Sequence, residues 1–317
     1  MSSLAATVVS RLAAGRPLIG LGLRTVEGRW DLRGLRFPEA DRRPGPEVAG
    51  FETGLVNPVR MRNVELDSLD FSGAVWRGLS LTTARVTNCV FDDADFSGLN
   101  VQGVQFIDCS FRGADVRDAS LCGNPRYFVG WRRLTSWTRV DFTGSDLRGT
   151  AHLAERYVDC DFSNARLDRV DFDAARHTRS RFSGRLEEVE FSRTSRWLMW
   201  RGSVNTMFGV DFSRADLVDC GFWALDLAHA VLPVTAQHAV FAPKVAVAKR
   251  VLQLLRNEDD PGALIDLRVR MERCVDEGPA TLSARGVAHE EGLGRDLAER
   301  ARAMGLIRRA QSEVGGR

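Results

Sequence analysis

Residues 64–121 read VELDSLDFSGAVWRGLSLTTARVTNCVFDDADFSGLNVQGVQFIDCSFRGADVRDASL. Stepping by five from Leu66 gives Phe71, Trp76, Leu81, Val86, Phe91, Phe96, Val101, Phe106, Phe111, Val116 and Leu121, all apolar. Stepping from Val64, two places earlier, gives Leu69, Ala74, Leu79, Ala84, Cys89, Ala94, Leu99, Val104, Cys109, Ala114 and Ala119, again all apolar. With 44% apolar residues in the chain, chance would fill fewer than half of these places. Two places after each centre stand Ser68, Gly73, Gly78, Thr83, Asn88, Asp93, Gly98, Gly103, Asp108, Gly113, Asp118 and Gly123, half of them glycine. That composition is the chemistry of a turn.

A helix repeats its faces every 3.6 residues and a strand every 2.0. A period of five is neither. It requires a chain that turns once per unit, with two side chains inward and three outward. Four such turns close a square, so a coil takes about 20 residues, and coils stack at the strand spacing of about 4.8 Å. A lone coil buries too little apolar surface to offset the entropy of ordering its backbone, so stability rests on stacking neighbours.

The phase continues through Phe142, Leu147, Phe162, Leu167, Phe172, Phe182, Phe212, Leu217, Phe222, Leu227 and Leu232. Leu121 and Phe142 are 21 residues apart, and Phe182 and Phe212 are 30 apart. The irregular stretches 122–141 and 183–209 are therefore read as degenerate coils with a bulge rather than long inserted loops. The whole run amounts to about eight coils, roughly 40 Å of stack.

The units ADFSG (94–98), ADVRD (114–118), VDFTG (140–144), SDLRG (145–149), CDFSN (160–164), VDFSR (210–214) and ADLVD (215–219) resemble the pentapeptide-repeat family over a little more than half the chain. The resemblance implies an all-β repeat fold, a right-handed quadrilateral parallel β-helix. Phenylalanine at many centres where the family prefers leucine implies a wider coil or looser faces. Three regions are expected: an N-terminal helix and loop cap over 1–59, the β-helix over 60–233, and a C-terminal α-helical cap or dimerisation region over 234–317.

Outside the repeat, Leu4, Val8, Val9 and Leu12 predict a short amphipathic helix over 4–14. Leu32 and Phe37 have the spacing of an early rung, and Pro38, Pro44, Pro46 and Pro58 mark 38–58 as a loop. Beyond Leu232, Pro243 opens a helix to Asn257 carrying Val247, Val251, Leu254 and Leu255. Pro261 opens a second with Leu264, Ile265, Leu267, Val269 and Met271, and a third runs from about Gly294 to Ala310 with Leu297, Ala301, Met304 and Ile307.

The net charge of +2 gives no single-sign field to attract nucleic acid, so direct nucleic-acid binding is not expected. No apolar run is long enough to span a membrane. Arg11 and Arg16 interrupt the N-terminal apolar stretch, unlike a signal peptide. The protein is read as cytoplasmic. Cys89, Cys109, Cys160 and Cys220 take the small inward place of a unit and are read as core rather than metal or redox groups. The histidines, His152, His177, His229, His238 and His289, form no catalytic or zinc motif. His177 falls at a centre and is read as a core histidine or a local distortion. No catalytic, cofactor-binding or metal residue is assigned, and no cofactor or small-molecule substrate is expected.

Two stretches combine arginine with aromatics, a composition found at interface hot spots. One holds Arg126, Tyr127, Trp131, Arg132 and Arg133, and the other Arg196, Trp200 and Arg201. The competing reading puts Trp137 and Trp197 in the core and the arginines in solvent. Aspartates precede many centres, Asp95 and Asp115 among them, and face outward in rows. Such rows either mimic phosphates or make a solvated face. The resemblance implies a non-enzymatic protein acting on DNA gyrase or a related type II topoisomerase by DNA mimicry, with consequent antibiotic resistance. Residues 60–233 carry 22 basic and 24 acidic side chains, less acidic than such a mimic. The alternative is a protein-interaction scaffold using the arginine and tryptophan patches. A homodimer through the C-terminal helices is a further expectation.

Overall fold

The computed structural model describes residues 4–38, 59–121, 134–153, 155–193, 207–225, 227–258, 262, 264–276 and 285–315, and the backbone alone of 41–42, 47–48, 51–52 and 55–56. The chain divides into two compact units, Met1–Val170 and Asp171–Arg317.

In the first unit every centre and every small inward residue between Val64 and Leu121 is buried. The chain makes four faces per coil. One carries the parallel strands Glu65–Asp67, Arg85–Thr87, Gln105–Ile107, Ser136–Thr138 and Arg156–Val158. Another carries Arg60–Arg62, Ser80–Thr82 and Asn100–Gln102. The other two are ladders of single bridges, Asp70 to Val90 to Ser110 to Asp141 to Asp161, and Val75 to Asp95 to Asp115 to Asp146 to Arg166. This is the quadrilateral parallel β-helix expected from the period.

The turn place is left-handed throughout: φ is 55° at Ser68, 54° at Thr83, 51° at Asn88 and 64° at Gly113. That backbone reverses the chain at each corner and disfavours a β-carbon, which is why glycine, Asn and Asp dominate it. Inside, phenylalanines fit the coil by stacking on one another. Phe71, Phe91, Phe111, Phe142 and Phe162 form a column with centroid separations of 5.3, 4.5, 5.4 and 4.9 Å. Trp137 lies on Phe106 at 4.0 Å, in the core as one reading held.

Strand register corrects the reading of 122–141. Coil to coil, Val86 pairs with Phe106, 20 residues on, but Phe106 pairs with Trp137, 31 residues on. Eleven residues are therefore inserted between Leu121 and Trp137, instead of a degenerate coil with a bulge.

The early rung is present. Trp30 and Asp31 pair with Leu69 and Asp70, Leu32 and Phe37 are buried, and Phe37 stacks on Trp76 at 4.2 Å. Helix α1 (Leu4–Ala13) buries Ala5, Val8 and Leu12. The 38–58 segment is not wholly loop: Asp41–Arg42 pairs antiparallel with Leu55–Val56, and Glu47–Val48 with Phe51–Glu52.

The second unit begins with the same coil. Phe172, Phe191 and Phe222 stack at 5.2 Å each. His177 fills a centre, edge-on to Phe172 at 4.9 Å and Phe182 at 5.3 Å, as a core histidine. The spacing of 30 between Phe182 and Phe212 has a different origin from the one expected. Buried Leu186 follows Phe182 after four residues instead of five, and buried Met207 follows Phe191 after sixteen. One deletion and one eleven-residue insertion thus sum to a multiple of five. At the deletion two faces merge into long strands, Arg181–Glu187 on Asp211–Val218, with a register shift between Arg181 and Ser183.

Among the described residues three α-helices follow, α2 (Lys244–Leu255), α3 (Ile265–Asp276) and α4 (Leu297–Gly315). Their core contains Val247, Val251, Leu254, Leu267, Met271, Met304 and Ile307. Ile265, Val269, Leu297 and Ala301, expected inside, are exposed. The buried stripe of α4 is Ala303, Met304, Leu306, Ile307 and Ala310, a clean helical spacing that turns Leu297 and Ala301 away. The sequence reading missed an antiparallel pair, His238–Phe241 with Gly286–His289.

Candidate partner-binding surface

The outward aspartates have a local role that their spacing alone does not announce. Many accept, through Oδ1, the backbone N–H two residues on: Ser72 to Asp70 (2.9 Å), Ser97 to Asp95 (3.1 Å), Arg117 to Asp115 (3.1 Å), Thr143 to Asp141 (2.8 Å) and Arg148 to Asp146 (3.2 Å). The carboxylate bridges the centre residue and fixes the path into the corner, which explains aspartate at that place.

Arginines take the second carboxylate oxygen. Arg77 reaches Asp95 at 2.6 Å and Arg117 reaches Asp115 at 2.6 Å. Arg148 lies 2.7 Å and Arg166 3.3 Å from Asp146. Arg112 is 3.1 Å from Asp141 on the neighbouring face. Burial alone would raise the Asp95 carboxyl, but hydrogen bonds from Ser97 and Arg77 outweigh it and hold it below the usual range. Asp146 is held low in the same way by Arg148 and Arg166 against its own burial. The structure thus brings Asp95 and Asp115 together in one ladder with Asp146, as a charge-balanced stripe. Arg126, Tyr127, Trp131, Arg132, Arg133, Arg196, Trp200 and Arg201 lie outside the described residues, in the sequence between Leu121 and Leu134 and between Arg193 and Met207.

Thr150, His152 and Tyr157 form a buried polar cluster in the first unit. The Thr150 hydroxyl donates to Leu147 O (2.6 Å), so His152 Nε2–H donates to Thr150 Oγ1 (2.9 Å). His152 Nδ1 is then left to accept from the Tyr157 hydroxyl at 2.8 Å. Burial drives the His152 pKa down to about 3. The ring is a neutral strut between faces. The inward cysteines are buried as expected, and burial pushes Cys109 up to about 11 and Cys160 and Cys220 up to about 12.

In the second unit Asp216, His238 and His289 bring donor atoms within 4.8 Å of one another, the composition of a two-histidine, one-carboxylate metal site. Their hydrogen bonds oppose it. His238 Nε2 accepts Leu217 N–H (3.1 Å), and its Nδ1 faces Thr235 Oγ1 (2.7 Å). His289 Nδ1 accepts Glu291 N–H (3.2 Å), leaving the proton on Nε2, 2.9 Å from Asp216 Oδ1. Each ring has given its lone pair to a backbone N–H, and a metal would have to displace one.

The exposed edge of the last coil is met by side chains. Lys244 Nζ donates to Phe222 O (3.0 Å), Arg270 donates to Cys220 O (3.1 Å), and Arg273 lies 5.1 Å over the Trp223 ring. Among the described residues no helix is long and apolar enough to cross a membrane.

The family described as pentapeptide repeats (9 copies) matches residues 58–120. No curated protein matches the chain. Among solved structures, a trypsin-treated form of QnrB1, a plasmid-mediated fluoroquinolone resistance protein, is 19% identical, with 65% of this chain and 83% of that one covered and a TM-score of 0.41. HetL, a pentapeptide-repeat protein involved in heterocyst differentiation regulation from Nostoc sp. strain PCC 7120, is 18% identical over 55% of this chain and 85% of that one, with a TM-score of 0.22. With four-faced coils, left-handed turns every fifth residue and the family match over residues 58–120, this chain is a pentapeptide-repeat protein.

Proposed function

We propose that this protein works by docking a macromolecule, without catalysis, and that its partner is a protein. The observation that carries this reading is the filled coil with an ordered exterior. The cavity among the rings of Phe71, Trp76, Phe91, Phe96, Phe106 and Phe111 measures about 10 Å³, while outward rows of Asp and Arg repeat at the strand spacing. Pre-positioned rows of this kind suit recognition of a large surface.

The family resemblance makes a type II topoisomerase the first partner to test. For the manner of binding, the paired charges favour the scaffold reading over DNA mimicry by the stripe carrying Asp95 and Asp115. A phosphate mimic needs carboxylates free to present negative charge, and here Arg77, Arg117, Arg148 and Arg166 neutralise them. Protein docking through the arginine and aromatic residues of the two insertions fits that balance better.

A gyrase supercoiling assay, with the protein titrated in the presence and absence of a gyrase poison, tests the partner. Relief of the poison or inhibition of supercoiling at micromolar protein or below supports it. Asp95→Arg and Trp131→Ala then separate the manners of binding: loss in the first alone supports mimicry, and loss in the second alone supports the insertions. No effect on gyrase under either condition removes the topoisomerase reading.

A further inference from the structure

The C-terminal helical region meets the last coil through side chains that replace the missing next strand. A coil edge presents alternating C=O and N–H groups. Lys244 and Arg270 take the carbonyls of Phe222 and Cys220. The N–H of Leu217 goes to His238 Nε2. Lysine and arginine stay charged over any moderate pH. The histidine does not, and it is the one of the three that must be an acceptor. His238 and His289 are both buried, with ring centroids 4.7 Å apart at 66°.

We propose that the His238–His289 pair is an acid-sensitive latch that holds the C-terminal helical region against the edge of the last coil. Protonation of His238 puts a second N–H against the Leu217 N–H and abolishes that bond.

The charged surroundings are mixed. From the last coil comes Asp216, 2.9 Å from His289 Nε2 and 3.6 Å from Arg185. From the turn after the Gly286–His289 strand come Glu290 and Glu291, the latter 2.8 Å from Arg185. Asp216 and Glu290 favour a charged His238, whereas burial, the largest influence, and His289 disfavour it; the balance lowers its pKa. The direction of the pH effect follows. A histidine lowered in the docked state takes up its proton more readily when released. Docking is therefore fully present above the ordinary value of about 6.5 and weakens as pH falls below it.

Hydrogen exchange of the full chain from pH 7.5 to 5.0, corrected for the intrinsic rate, tests the latch. Protection of residues 217–223 and 286–293 should fall about tenfold per pH unit for each proton taken up below pH 6.5, while residues 66–121 hold theirs. His238→Gln keeps an acceptor for Leu217 N–H but cannot titrate, and should keep its protection at pH 5.0. The proposal fails if protection at 217–223 is flat with pH, if 66–121 loses protection in parallel, or if His238→Gln responds as wild type does. The wild-type series decides by itself if that variant does not fold.

Discussion

Replacing Phe111 by alanine tests the internal column directly. Its ring stacks on Phe91 at 4.5 Å and Phe142 at 5.4 Å, and meets Phe106 and Trp137 edge-on at 5.8 and 6.0 Å. The backbone on both sides is held by strand bridges, so the coil has little freedom to collapse into the gap. Truncating a buried phenylalanine costs about 3–5 kcal/mol, and poor collapse selects the upper part of that range. With a urea m-value of about 2 kcal/mol/M, the midpoint should fall by roughly 2 M. Arg112→Ala, one residue on but outward, should cost under about 0.5–1 kcal/mol. Combining Phe111→Ala with Phe142→Ala should be non-additive by about 0.5–3 kcal/mol, because the two rings share a contact. Phe71→Ala with Phe162→Ala, which share none, should add within about 0.5 kcal/mol. Urea titration followed by far-ultraviolet circular dichroism measures all of these. A Phe111→Ala cost below about 1 kcal/mol, or strict additivity for the stacked pair, would refute the stacked interior.

Gly113→Ala should destabilise by about 1–2 kcal/mol, since φ is 64° and the new β-carbon meets the Asp93 carboxylate; Thr83→Gly, at the same left-handed place, should be neutral or stabilising by thermal melting. Asp146→Asn should lower stability at pH 7, and the gap to wild type should close as pH falls below about 4: a depressed carboxylate stabilises above its unfolded pKa and loses that contribution through its folded one. Cys109, Cys160 and Cys220 should react with a disulfide reagent at pH 8 at least about a hundredfold more slowly in the folded than in the denatured chain, because burial holds the thiols protonated. Zinc titrated by calorimetry should show no heat that His238→Gln or His289→Gln removes; a saturable, histidine-dependent heat would overturn the tautomers inferred from Leu217 and Glu291.

The period of five made the inside of the coil legible to the residue, because packing repeats with the chain. It carried Trp137, the four cysteines and His177 to their places, and it picked out Leu32 and Phe37 as a rung. What it reports, though, is phase, and phase is blind to anything that leaves the remainder unchanged. An insertion of eleven looks like an offset of one, which is how 122–141 passed for a coil with a bulge. Between Phe182 and Phe212 the short step to Leu186 cancelled even that offset. The strands His238–Phe241 and Gly286–His289 were hidden for another reason: they are four residues each, far apart in sequence, and pair antiparallel with no repeat to mark them. The aspartate rows were visible as rows. Their Asx-type bonds and arginine partners depend on corner geometry, which composition does not encode.

The pairing of Phe106 with Trp137 across eleven additional residues separates chain length from architecture. Each coil is specified by the strands beneath and above it, and nothing in that specification counts the residues that leave one strand and return at the next. A corner of this kind is a socket. Segments of foreign sequence could be exchanged there without regard to multiples of five, and the paired strands on either side, Gln105–Ile107 before and Ser136–Thr138 after, would serve as a fixed frame for whatever is displayed.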